Sequence, residues 1–394
     1  MLDKIKGLAK DYLEEVRTYR RHIHANPELS YEEYETMEYV AGILSSWGIP
    51  ITKGVATTGL TALIEGKNPT SKVIGLRADM DALPIQEAND VPYKSTKEGI
   101  MHACGHDVHT ASLLGAAKIL WNLKEELEGT VKLVFQPGEE KNPGGASLMI
   151  KDGVLENPTP EKMMAQHVMP LIEVGKVGFR EGMYMASADE VYLTIKGKGG
   201  HAAVPELLTD TVLVASHIIV AMQQVISRNC NPKLPSVLSF GKVEAAGATN
   251  IIPNEVKVAG TFRALDEEWR SKGHELITRI AEHTALAMGA ICEVHIDKGY
   301  PCLVNDPTFT ASSRQRAEEY LGKENVESLP LWMGAEDFAY FTHEKPSCFY
   351  RLGVGNPSKG ITSYVHTPTF NIDENALEIG AGLMAWLTYN ALTD

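Results

Sequence analysis

The eleven residues MHACGHDVHTA, positions 101 to 111, gather one thiol, three imidazoles and a carboxylate. Thiolate and imidazole are ligands that borderline divalent metals favour. Cys104 and His106 stand two positions apart across a glycine and read as two such ligands, which makes the chain a metalloenzyme in expectation. His102 and His109 read as hydrogen-bonding neighbours. Further along, Glu139 and Glu140 form an adjacent carboxylate pair after Pro-Gly, and Asp79 and Asp81 follow an apolar run. His167 and His366 carry no signal singly.

These positions make sense once the elements that carry them are read. VIGLRAD, TVKLVFQP and KMMAQHV are short runs rich in branched or apolar residues and predict strands; TASLLGAAKILWNLKEEL predicts the helix between the first two, stopped by Gly129. Alternating strands and helices point to an α/β fold, a mostly parallel sheet flanked by helices. Asp79 and Asp81, Glu139 and Glu140, and His167 then all fall at strand ends. In open α/β sheets ligands gather at the carboxyl ends of strands, so these distant positions are expected at one rim.

The middle of the chain changes rhythm. From 187 to 298 the runs DEVYLTIK, LLTDTVLVASHIIVAMQQVIS, SVLSFGKVEA, EVKVAGTFRAL, DEEWRSKGHELITRIAEHTALAMG and ICEVHIDKG read strand, helix, strand, strand, helix, strand. That β-α-β-β-α-β order is the ferredoxin-like pattern. Residues 187–298 are therefore expected as an inserted domain, with 1–186 and 299–394 forming a discontinuous metal-binding domain; 394 residues exceed what one core usually serves.

A formal net charge of −14 disfavours nucleic acid and anionic membrane as partners. No uncharged run reaches about 18 apolar residues, so no membrane span is expected. The start of the sequence reads as a charged amphipathic helix rather than a signal peptide. Five unpatterned cysteines fit a reducing cytoplasm better than a disulfide framework.

Eight ordered blocks, RADMDALP, MHACGHDVHTA, FQPGEE, GKGGHAAVP, TNIIP, GTFRALD, MGAEDFA and SYVHTPTFNID, span almost the whole chain. Together they resemble the two-metal amidohydrolase and peptidase family that includes hippurate hydrolases, N-acyl-amino-acid deacetylases and auxin-conjugate hydrolases. The resemblance implies two divalent metals (Zn, Mn, Co or Ni) held by Cys104, His106, Glu140, His167 and His366, with Glu139 as general base. Where other branches have a His-x-Asp pair, this chain has Asp79-Met80-Asp81 and follows the cysteine branch. Asp81 then reads as the carboxylate that orients a ligand, and Asp79 as similar or structural.

On the substrate side the resemblance implies an oxyanion role for His201, in one chain or across a subunit interface, and substrate contacts from Asn250 and Arg263. A guanidinium fork suits the free carboxylate of an amino acid; a strand salt bridge is the other reading of Arg263. The implied dinuclear-metal exopeptidase fold has the insert as a lid and dimerisation domain, so a homodimer is expected. The implied reaction is hydrolysis of an N-acyl amino acid to a carboxylic acid and a free amino acid. A dipeptidase or carboxypeptidase would use the same centre. A metal-dependent binding protein without catalysis is the alternative of another class, and the presence of Glu139 speaks against it.

Overall fold

Runs of branched and aromatic residues form strands Val73–Asp79, Thr130–Gln136 and Ser347–Gly355, in which every residue is buried. With Lys162–Glu173 they make the centre of an eight-stranded sheet, in the order Thr130–Gln136, Val73–Asp79, Lys162–Glu173, Ser347–Gly355, all parallel. Burial on both faces is what a parallel sheet requires. The flanks differ: Gly59–Glu65 and Ile51–Val55 run antiparallel on one side, and Val177–Phe179 runs antiparallel to Ser347–Gly355 on the other, with Val326–Ser328 parallel beyond it. The sheet is parallel at its centre and mixed at its edges.

This computed structural model describes residues 1–393, and they divide into two compact units. The sheet belongs to the first, made of Met1–Gly182, Val304–Pro330 and the chain from Asp337 on. Helix His106–Asn122 packs over Val73–Asp79 and Lys162–Glu173, flanked by helices Leu2–Ala25 and Ala376–Thr393. It begins four positions before the expected TASLL start, because Gly105 adopts φ +84° and turns the chain directly into a helix at His106. It also ends at Asn122, before a short 3₁₀ turn, so Gly129 does not stop it. Gly129 has another task. At φ +69° it lets the chain pass Lys72, whose carbonyl oxygen would lie 2.4 Å from an added Cβ.

The second unit comprises Met183–Leu303 and Leu331–Glu336. Strands Asp189–Lys196, Ser236–Ala245, Glu255–Ala264 and Ile291–Lys298 form one antiparallel sheet, with Asp189–Lys196 and Glu255–Ala264 at its centre. Helices Thr211–Gln224 and Glu267–Ala287 complete the β-α-β-β-α-β order. Both have aspartate N-caps: Asp210 accepts from Leu213 N (2.9 Å) and Asp266 from Trp269 N (2.7 Å). The stretch Thr211–Asn229, with mean hydropathy 1.3, is long and apolar enough to cross a membrane by length and composition, although it includes Arg228 and polar residues such as His217, Gln223 and Gln224. Its buried residues Thr211, Val214, Ala215, Ile218 and Met222 repeat at helical spacing, and the helix packs on the sheet of this unit.

Candidate metal centre

The parallel register brings the chemistry to one rim. Asp79 pairs with Gln136 across the first two strands, and Arg77 pairs with Ala165, which sets His167 level with the end of Val73–Asp79. His167 is inside its strand, which runs on to Glu173, and not at its end. On its other side His167 pairs with Arg351. Gln136 ends its strand and the turn Pro137–Gly138 presents Glu139 and Glu140. Cys104 arrives on the loop before helix His106–Asn122. His366 stands in a left-handed conformation, φ +62°, and its N–H donates to Ala103 O (2.7 Å), tying its loop to the cysteine segment.

Five side chains converge in two overlapping triads, Cys104–His106–His167 and Cys104–Glu140–His366. Cys104 Sγ lies 3.5 Å from His167 Nε2 and 3.3 Å from His366 Nε2, and His366 Nε2 lies 3.2 Å from Glu140 Oε1. Bond lengths of about 2.0 Å to nitrogen and 2.3 Å to sulfur separate neighbouring ligands of a tetrahedral metal by roughly 3.4–3.6 Å. The spacing fits that. The tautomers fit as well: His167 Nδ1 is 2.8 Å from Val168 O, and His106 Nδ1 is 2.9 Å from Asp81 O and 3.1 Å from Asp81 Oδ1. With Nδ1–H donating, each ring turns a lone pair on Nε2 toward the cluster. His106 Nε2 is buried without a hydrogen bond, a state polar atoms avoid unless something binds them.

Electrostatics point the same way. Asp79, Asp81, Glu139 and Asp337 are all buried, with Glu140 beside them, and the buried Arg77 pairs with Asp79 and Asp337. Burial works against charge at Asp81, but the His106 and Ser30 hydrogen bonds outweigh it and hold the carboxyl below its usual range. Burial pushes the Cys104 thiol up, with the Glu140 carboxylate adding to it. His366 is raised to about 10, chiefly by its contacts with Cys104 and Glu140. Such a ligand set is neutralised by a divalent cation.

Around these five side chains runs a further layer of buried polar contacts. His109 Nδ1 meets Asp79 Oδ1 at 2.5 Å and its Nε2 accepts from Val168 N at 2.9 Å, so both ring nitrogens are engaged. Asp79 also accepts from Arg77 Nη1 (2.7 Å). Asp81 has several donors: besides His106 it accepts from Glu139 N (3.1 Å), Glu140 N (2.9 Å) and Ser30 Oγ (2.6 Å). Glu33 Oε1 accepts from Gly138 N (2.8 Å), and Tyr31 covers Gly138 with its ring and donates from its hydroxyl to Lys141 O (2.8 Å). His102 is fully buried near His24, without hydrogen bonds at either nitrogen.

Sequence reasoning gave no role to Arg77, Gln136, Asp337, Ser30, Tyr31 or Glu33. Arg77 did carry a signal: a charged residue inside a strand buried on both faces needs partners. The SYEE run had none, since an acidic stretch reads as solvated surface.

Within the second unit, His201 lies on the short strand Gly200–His201 and pairs with Ile251, while Asn250 O accepts from Ala202 N (3.0 Å). The structure thus brings His201 and Asn250 together. Arg263 lies in the four-stranded sheet, near the far end of strand Glu255–Ala264 and roughly 25 Å along it from Glu255 at about 3.3 Å per residue. Its guanidinium donates to Thr261 Oγ1 and Phe262 O.

Residues 75–390 match the family described as Peptidase family M20/M25/M40. An Arabidopsis thaliana protein named IAA-amino acid hydrolase ILR1-like 5 is 40% identical over 98% of this chain and 89% of its own length. Thermostable carboxypeptidase 2 of Saccharolobus solfataricus is 37% identical over 97% of this chain and 96% of its own. The crystal structure of the Bacillus subtilis YXEP protein, described as a dinuclear metal binding peptidase from the M20 family, superposes with a TM-score of 0.83 at 33% identity, covering 98% of this chain and 99% of that one. The chain belongs to peptidase family M20/M25/M40.

Proposed function

We propose that the protein is a two-metal amidohydrolase that cleaves N-acyl amino acids, such as acetyl or benzoyl conjugates, to a carboxylic acid and a free amino acid. The observation that carries this reading is the division of the adjacent carboxylates: Glu140 Oε1 faces His366 (3.2 Å), while Glu139 Oε1 accepts from Asp337 N (3.3 Å). One can ligate while the other is left to move a proton. Cys104, His106, Glu140, His167 and His366 would hold two divalent cations, whose chemistry is Lewis-acid stabilisation of the charge growing on the scissile carbonyl oxygen. The thiolate and imidazoles favour Zn, Co or Ni, and the carboxylate admits Mn.

Glu139 takes a proton from the attacking water as the C–O bond forms and returns it to the leaving nitrogen as the C–N bond breaks. Asp81 holds His106 and the Glu139–Glu140 turn in register throughout. His201 and Asn250 are assigned to the substrate's reacting end and Arg263 to its free carboxylate. His201 and Asn250 lie at the short strand pair Gly200–His201 and Ile251–Ile252, and Arg263 lies eight residues beyond Glu255 in the four-stranded sheet, a separation that supports their being supplied to one small substrate by different copies of the chain. This supports a homodimer formed through the inserted lid domain of residues 187–298, whose exposed Val212, Leu213, Val220 and Ile291 offer apolar surface. All five cysteines are free, which fits a cytoplasmic setting.

Glu139→Gln is the test: turnover of N-acyl amino acids should fall roughly 10²–10⁴-fold while elemental analysis still finds metal. Near-parental turnover in that variant sinks the assignment. The carboxypeptidase relative favours a second reading, cleavage of true peptides by the same centre. A rate panel of acetyl and benzoyl amino acids against unblocked dipeptides and carboxypeptidase substrates separates the two.

A further inference from the structure

Glu139 and Glu140 sit in a loop, Pro137–Gly145, and that loop is closed at its base. Gly145 N donates to Gly138 O (2.9 Å), and a Cβ on Gly145 would fall 1.6 Å from Pro137 O. Asp337 grips both ends of this loop. Its Oδ2 accepts from Ala146 N (2.9 Å) just after the loop, and both its oxygens accept from Gln136 Nε2 (2.9 and 2.7 Å) just before it. Arg77 Nη2 donates to Oδ1 (2.8 Å), and all three side chains are buried. From that fixed point the Asp337 main-chain N–H reaches the middle of the loop and donates to Glu139 Oε1 (3.3 Å).

We infer that Asp337 is the positioning residue for Glu139: its carboxylate locks the loop and its own backbone, so that its N–H holds the Glu139 carboxylate in the direction proton transfer requires. The inference rests on the reading of Glu139 as general base. The Arg77 fork extends the device, since Nε donates to Gln136 Oε1 (2.8 Å) and Nη1 to Asp79 (2.7 Å), which in turn meets His109. One guanidinium thereby sets the base and the ligand scaffold in a common frame. Asp337 is also the residue at which the chain re-enters this unit after Leu331–Glu336.

The experiment compares Asp337→Asn, Glu139→Gln and the double variant, with kcat, KM, metal content and unfolding midpoint measured on each. Asp337→Asn keeps the shape and weakens the grip. It should lower kcat roughly 10- to 100-fold, the scale of a misplaced catalytic group, with KM and metal content as in the parent. In the Glu139→Gln background the same change should alter the residual rate less than about twofold, because residues that act as a unit are not additive. If Asp337→Asn does not fold, Gln136→Met removes one anchor only and should give a smaller, KM-silent loss with the same dependence on Glu139. Parental kcat in a folded Asp337→Asn, an equal loss in both backgrounds, or a loss that tracks missing metal each overturns the positioning role while leaving Glu139 as base. Parental turnover in Glu139→Gln removes the base and this inference together.

Discussion

Asp81 faces His106 with two acceptors at once, its main-chain carbonyl 2.9 Å and its carboxylate Oδ1 3.1 Å from Nδ1. The same carboxylate takes the backbone N–H groups of Glu139 and Glu140. His106, a proposed ligand, and the turn bearing Glu140 and the proposed base Glu139 are therefore fixed by one side chain. Asp81→Ala should weaken metal binding about 10- to 100-fold, the usual loss when a carboxylate behind a histidine ligand is removed, read by chelator competition. It should also lower kcat in protein saturated with metal, since the Glu139–Glu140 turn loosens. Unchanged affinity would mean that the main-chain carbonyl alone orients the ring.

Metal uptake should be coupled to protons. Contacts with Cys104 and Glu140 raise His366 to about 10 and burial raises the Cys104 thiol, whereas as the proposed ligands both would bind metal only in their deprotonated forms. Affinity should thus rise with pH across the neutral range. Adding Zn²⁺ to chelator-treated protein in weak buffer should release protons to an indicator dye, and fewer per chain in Cys104→Ala than in the parent. That variant should also hold less metal. Equal proton release by the two proteins would remove Cys104 from the ligand set.

How far the site could be read without the structure depended on the rarity of each residue type. Cys104 beside His106, or Glu139 beside Glu140 after Pro-Gly, is an uncommon local combination that neither core packing nor a solvated surface calls for. His167 and His366 became readable only through the ordered blocks around them. Asp337 escaped because its partners Arg77, Gln136 and Ala146 are 260, 201 and 191 positions away, and only the folded chain brings them together. Three of the four central strands were legible from short runs rich in branched or apolar residues. Ser347–Gly355 went unassigned, and so did the flanking pair Ile51–Val55 and Gly59–Glu65, whose first strand is largely exposed and lacks an apolar run. The helix start at His106 was missed because it depends on the left-handed Gly105, a backbone state that glycine permits but does not announce.

Glu33 gives the fold a pH dependence of defined sign. The carboxyl is fully buried, accepts from Thr58 Oγ1 (2.5 Å) and Gly138 N (2.8 Å), and is pushed up to about 7 by burial and then by the Asp81 carboxylate. A carboxyl raised in the folded state stabilises it where the group is protonated, below the ordinary value of 4.5, and that contribution is lost as pH rises through about 7. At about 1.4 kcal/mol per pKa unit, the loss between pH 4.5 and 8 is on the order of 3 kcal/mol. Glu33→Gln keeps an acceptor for Gly138 N and never ionises, and the Thr58 hydroxyl can rotate to accept from its amide. In chelator-treated protein, where metal loss on acidification plays no part, the variant should match the parent near pH 5 and exceed it in denaturant midpoint near pH 8. Parallel pH curves for the two proteins would show that Glu33 stays ionised at its buried station, with Gly138 N–H and Thr58 enough to hold the charge.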